Sequence, residues 1–310
     1  MSEQEKRISR RKFLLGSGEA AAGIFTMGAL TSCTCPQSWG QGKGASAVRH
    51  PAEKMRFGLV TYLWARDWDL PTLISNCQKA EVFGVELRTT HRHGVEPSLT
   101  PAQRRDVKKR FSDSGVTLVC VGSDERFDNP DPDVLAGAIA TTKKFIKLSY
   151  DVGSSGVKVK PDRFHENVPH QKTIEQIGKS LNIVGNFAAD YGQQVRLEVH
   201  NQCAQLPIIK SIMDIADHPN VAICWNCNQE DLSGRGLEYN FNLVKHRLGP
   251  TIHIHSLKST PYPYRQLIGL LAKMDYEGWL ELEEGRYIPP DPVEALRQER
   301  IMFEQMIAEA

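Results

Sequence analysis

From residue 56 onward, short runs of β-branched and apolar residues alternate with longer stretches whose apolar positions recur every three or four residues. The short runs read as strands over residues 56–63, 84–89, 117–122, 156–160, 195–200, 221–226, 251–256 and 279–283. Their starts recur every 26 to 39 residues, the length of one strand-plus-helix unit. The intervening stretches carry helical periodicity. In 173–191, Ile174, Ile177, Leu181, Val184 and Phe187 fall on one face, and 206–216 is a second such segment.

Eight strands separated by eight crossover helices predict a single closed (β/α)8 barrel, because parallel strands need crossovers and closure removes both sheet edges. An open doubly wound sheet is the rival arrangement. It normally carries a G-x-G-x-x-G turn after an early strand, and this chain has none.

Of the 310 residues, 24% are charged and 40% apolar, which excludes a disordered or collagen-like chain. The 38 basic and 37 acidic side chains are unevenly placed, since residues 1–33 hold five of the former and three of the latter. The remaining body is therefore close to neutral. That gives no electrostatic footprint for nucleic acid, which normally needs a clustered basic face, and favours a small-molecule partner.

The amino terminus reads as an export signal. Ser9-Arg10-Arg11-Lys12-Phe13-Leu14 precedes a weakly apolar run over 13–30 and resembles the bacterial twin-arginine signal. Gly16, Gly18 and Glu19 make that run a poor permanent membrane span. Leu30-Thr31-Ser32-Cys33 resembles a lipobox, with Cys33 as the lipidated residue, and cleavage at Ala45-Ser46-Ala47 is the competing site. Residues 1–33 are thus the signal, 34–54 a flexible linker and 55–310 the barrel. The expected location is the periplasm, free or lipid-anchored, with the export machinery as a partner.

Two of the seven cysteines, Cys33 and Cys35, fall in or beside the signal. The other five form no paired framework. Cys224 and Cys227 have C-x-x-C spacing inside an apolar strand pattern, with no second pair to complete a zinc site, so the body cysteines read as buried thiols.

In a parallel barrel the chemistry gathers at the carboxyl ends of the strands. Strand alternation places Glu198 with His200, His253 with His255, and Glu281 with Glu283, while the sixth strand ends on Asn226. A carboxylate pointing into a barrel is strongly destabilising unless paired or metal-bound. Two carboxylates, an imidazole and an amide oxygen at one point suit Mn²⁺, Mg²⁺ or Zn²⁺. In the first half, the loop containing His91 and His93 faces the same end, and Glu86 is placed to bind substrate or to pair with an imidazole. Lys158 and Lys160 share a face, with Lys160 nearer the mouth. Trp64 and Trp225 offer aromatic faces for a sugar or for core packing.

The segments LEVHN (197–201), CWNCNQEDL (224–232), GLEYNFNLV (236–244), HIHSLK (253–258) and GWLELEE (278–284) resemble the xylose isomerase-like TIM barrels. That group of sugar phosphate isomerases and epimerases also takes in ketose 3-epimerases and endonuclease IV. The resemblance spans residues 56–305. It implies a divalent metal held by Glu198 and Glu283, with either His253 or His255 from the seventh strand. At the sixth strand the family pattern has Asp where this chain has Asn226, and a histidine where it has Gln229.

The implied chemistry is proton abstraction next to a carbonyl through an enediolate. Glu198 and Glu283 exchange the proton, and Lys160 and His200 act as substrate contacts or proton shuttles. Epimerisation or isomerisation of a sugar is the first expectation. Elimination from a 3-keto-glycoside uses the same first step. A carbohydrate-binding lipoprotein without catalysis is the alternative that Asn226 and Gln229 favour.

Overall fold

The structure is a computed structural model that describes residues 51–259 and 261–310. The signal, Cys33 and most of the linker lie outside the described residues. A short 3-10 turn, Pro51–Lys54, leads into the barrel, with Ala52 fully buried against it.

Eight parallel strands close in sequence order. They are β1 (Arg56–Val60), β2 (Gly84–Arg88), β3 (Thr117–Arg126), β4 (Gly156–Lys160), β5 (Gln194–Glu198), β6 (Val221–Asn226), β7 (Leu248–Ile254) and β8 (Trp279–Leu282). The helices are α1 (Leu70–Ala80), α2 (Pro101–Ser114), α3 (Pro132–Val152), α4 (His170–Ala189), α5 (Leu206–Ile215), α6 (Leu237–Val244), α7 (Tyr264–Lys273) and α8 (Pro292–Ala308). Local chemistry sets several helix starts. Asp69, Thr100, Asp131 and Asp291 each cap a helix through the side chain, with proline in the first turn.

All eight strands appear where the alternation places them, and the differences lie at their ends. β5 stops at Glu198, so His200 sits in the following loop. β7 begins at Leu248, three residues before the expected start, because Leu248 pairs with Ile223 across a shift in register. Pro250 lies in that shifted stretch, where its missing N–H takes nothing from a regular ladder.

The strands are apolar outward and polar inward. Val85, Leu87, Val157, Val159, Leu197, Ile252, Ile254, Leu280 and Leu282 belong to the apolar core. Their neighbours Glu86, Lys158, Arg196, Glu198, His253 and Glu281 are buried as well. Barrel interiors are ordinarily filled by branched apolar side chains, whereas this one is filled largely by charge. Two glycines make room for it. A Cβ on Gly122 would lie 2.6 Å from Glu86 Oε1, and one on Gly58 would lie 2.8 Å from Glu281 Cγ.

Candidate active site

Glu198 ends β5, Asn226 ends β6, and Glu283 directly follows β8, so their side chains meet at the carboxyl end of the barrel. Glu198, His253 and Glu283 each offer an oxygen or nitrogen within 4.8 Å of the others. His253 Nδ1 lies 3.5 Å from Glu198 Oε1 and 3.3 Å from Glu283 Oε2. The Asn226 Nδ2 donates to Glu198 Oε1 at 2.8 Å and to Glu283 Oε2 at 3.2 Å. On the other side of the imidazole, Nε2 lies 3.2 Å from Glu86 Oε2. Glu86 thus orients His253, leaving Nδ1 toward the two carboxylates. Beneath them, Lys158 Nζ lies 2.9 Å from Glu198 Oε2 and 3.4 Å from Glu86 Oε1.

Burial opposes ionisation of all these carboxyls, but opposite charge outweighs it at three of them. Lys158 and His253 hold Glu198 well below the usual carboxylate range, His253 and Lys158 do the same for Glu86, and His253 lowers Glu283. Glu281 moves the other way. Burial and the nearby Glu86 charge raise it well above that range, and neither oxygen has a hydrogen-bond partner. Despite its burial, Cys224, Glu86 and Glu283 raise His253 well above its ordinary value, so three carboxylates face one ammonium and one imidazolium. A divalent cation held at Nδ1 would take the place of the imidazole proton.

The donor set fits such an ion. Asn226 Oδ1 and His253 Nδ1 are buried and without hydrogen-bond partners. A half-turn of the Asn226 amide brings its oxygen where its nitrogen now bridges Glu198 and Glu283. Glu198, Glu283, His253 and Asn226 would then hold the ion with oxygen and nitrogen donors of the type that Mn²⁺, Mg²⁺ and Zn²⁺ accept.

Charged side chains line the mouth above this cluster. Lys160 Nζ pairs with Asp124 Oδ1 at 3.0 Å. Asp162 is 1% exposed and has a left-handed backbone, φ 65°. Its carboxylate meets His200 Nδ1 at 3.0 Å, Asn201 Nδ2 at 3.3 Å and Arg126 Nε at 3.1 Å. An imidazole fixed this way through Nδ1 keeps Nε2 for other partners.

A sequence model described as the xylose isomerase-like TIM barrel matches residues 74–306. The chain belongs to this family. No curated protein matches it. Solved structures with the same fold include 3-keto-D-glucoside 4-epimerase from E. coli, at 15% identity and TM-score 0.69, covering 81% of this chain and 99% of that one. An L-ribulose 3-epimerase gives 15% identity and TM-score 0.70, covering 82% and 95%. D-psicose 3-epimerase from Clostridium cellulolyticum H10 gives 17% and 0.68, covering 82% and 99%. At these identities the likeness is one of fold.

In this member of the xylose isomerase-like TIM barrel family, Glu198, Asn226, His253 and Glu283 come together as the strand pattern places them. His255 does not join the described carboxylate group. Its Nδ1 is engaged by the Glu283 carbonyl oxygen at 2.8 Å and its backbone N–H donates to the Tyr264 hydroxyl at 2.8 Å. Glu86 takes the imidazole-pairing role in place of a substrate contact, since it is fully buried beneath His253.

His93 is held within its own loop. Its Nε2 meets the Arg88 carbonyl at 2.8 Å and its Nδ1 accepts from Val95 N–H at 3.0 Å, so both nitrogens serve the loop. His91 is buried against Arg88, and burial followed by the Arg88 charge depresses it to about 4. Trp225 is fully buried, donates to Asp231 Oδ2 at 2.9 Å and packs on Phe241, which makes it core. Trp64 is buried too.

The sequence pattern put Lys158 on the inward face with Lys160 without giving it a part in the site, and it passed over Asp162. The alternation Val157-Lys158-Val159-Lys160 carried the signal for Lys158, because a lysine between two core valines in a central strand must face the interior. Nothing local marks Asp162. The five cysteines of the barrel are free and buried, with burial pushing the Cys77 and Cys203 thiols up to about 12.

Proposed function

We propose that this protein is a divalent-metal-dependent sugar isomerase or epimerase working by proton transfer at the carbon beside a carbonyl. The observation that carries the reading is the convergence of Glu198 and Glu283 on His253 within 4.8 Å, at the mouth of a closed barrel. Solved sugar epimerases of the same fold support it.

When bound, the metal would supply Lewis-acid polarisation of the substrate carbonyl. Glu198 and Glu283 both accept from the Asn226 Nδ2, which brings the two carboxylates to one point. One carboxylate removes the proton, and the other returns it from the opposite face for epimerisation or to the adjacent carbon for isomerisation. Lys158 keeps Glu198 ionised, as a base requires. Lys160 and His200 hold the substrate hydroxyls or pass protons at the rim. The same first step on a 3-keto-glycoside leads to β-elimination, and a 3-keto-glucoside epimerase among the similar folds favours keeping that substrate in view.

The twin-arginine motif supports export, so the working location is the periplasm, free or anchored through Cys33. The Asn226 bridge between the carboxylates favours a second reading, a carbohydrate-binding protein without catalysis.

Purified protein loaded with Mn²⁺ and incubated in D2O with a panel of ketoses and 3-keto-glycosides should incorporate deuterium into at least one of them. Glu283→Gln should abolish it. No incorporation, together with unchanged sugar affinity in Glu283→Gln and no bound divalent ion, would establish the binder instead.

A further inference from the structure

A cleft of about 580 Å³ opens between the loops after β4 and β5, lined chiefly by Phe164, His165, Glu166, His170, Gln202 and Gln205. Its size falls in the range of small-molecule sites, roughly 300–1,000 Å³. Both loops belong to the carboxyl end of the barrel, the end that bears Glu198 and Glu283. None of the six residues takes part in the carboxylate cluster.

The cleft has an aromatic wall. The rings of Phe164 and His170 stack with centroids 3.8 Å apart and planes inclined by 16°. Phe164 is pinned at its backbone, where its N–H donates to Gln202 Oε1 at 2.8 Å. His165 Nε2 lies 2.9 Å from Oδ2 of Asp128, which is 4% exposed. The cleft is also continuous in sequence with the His200 side of the mouth. Asp162 lies two residues before Phe164, Asn201 immediately before Gln202, and the Asp162 carboxylate joins His200 to Asn201.

A flat aromatic pair edged by imidazole, carboxylate and amide groups suits a sugar ring. The ring presents C–H groups on its face and hydroxyls around its edge, so the face stacks while the hydroxyls exchange hydrogen bonds. We infer that this cleft is a second saccharide subsite, and that the substrate is a glycoside of at least two rings. The reacting ring lies over the carboxylate cluster and its neighbour rests on Phe164. This rests on the sugar-chemistry reading above and adds the size of the substrate to it.

The test compares glucose with cellobiose, maltose and trehalose by saturation-transfer NMR and calorimetry on the full chain. At least one disaccharide should bind about fivefold to tenfold more tightly than glucose, in keeping with one added stacking contact. Phe164→Ala should remove that surplus and leave glucose affinity unchanged. His170→Ala, at an exposed position, should do the same and covers the case in which Phe164→Ala disturbs the loop. Disaccharides that bind no better than glucose, or a surplus that survives both variants, would overturn the subsite. Deuterium exchange into single-ring ketoses separates the two proposals. Its persistence without a disaccharide surplus removes the subsite alone, whereas its absence across the whole panel removes the parent reading.

Discussion

Asn226 is the residue on which the site turns. Its amide lies between two ionised carboxylates and satisfies both, a role that a carboxylate there would reverse. Asn226→Asp should lower the stability of the metal-free protein by about 3 kcal/mol, since it adds a buried charge of the same sign. It should also tighten divalent-metal binding roughly tenfold, because affinity for a hard cation rises with ligand charge. Thermal denaturation with and without Mn²⁺ reads both effects. A variant whose metal-dependent rise in melting temperature is no larger than that of wild type would show that Asn226 is not a ligand.

At the scale of elements, the turn after β6 carries a pH-dependent constraint. Asp231 Oδ2 accepts from Trp225 Nε1, Tyr262 Oη and the Asn228 N–H, while Oδ1 has no partner and can carry a proton. Burial raises this carboxyl to about 7 in spite of those donors. Its folded pKa therefore lies above its unfolded one. The associated stability is complete below about pH 4 and is lost as pH rises toward 7, a loss of roughly 4 kcal/mol at 1.36 kcal/mol per unit. Asp231→Asn keeps an acceptor for the three donors and cannot ionise, so its chemical-denaturation midpoint should fall less than that of wild type between pH 5 and 8. Parallel pH profiles for the two proteins would refute the assignment.

For the whole molecule, the unusual feature is a barrel whose inner wall is charged. Lys158 stands at the centre of it, fully buried and paired with both Glu86 and Glu198. Removing one partner of a buried pair leaves an uncompensated charge, which costs about 3–5 kcal/mol even when the replacement fills the space. Lys158→Met should destabilise the barrel by that amount in urea denaturation. A change below about 1 kcal/mol would mean that Glu86 and Glu198 are not charged in the native state. The same interior explains why both Gly58 and Gly122 are glycine. A side chain at either position would occupy space that Glu281 or Glu86 fills.

The order of elements was legible in the chain itself, because a barrel strand buried on both faces still alternates when one face meets helices and the other meets charge. Val157-Lys158-Val159-Lys160, Ile252-His253-Ile254-His255 and Leu280-Glu281-Leu282-Glu283 state both the strand and the inward face. That alternation also placed Glu198, His253 and Glu283 on the inner wall, since their strands have a period of two. It does not say how far up the wall each residue sits. Tertiary register decided that: His253 pairs with Glu281 and Asn226, which sets its imidazole between Glu86 and the upper carboxylates and leaves His255 to the Glu283 carbonyl. Only the closed fold put Lys158 under Glu198, or Asp162 against His200. Those contacts join residues about 40 positions apart in the chain, where no local periodicity couples them.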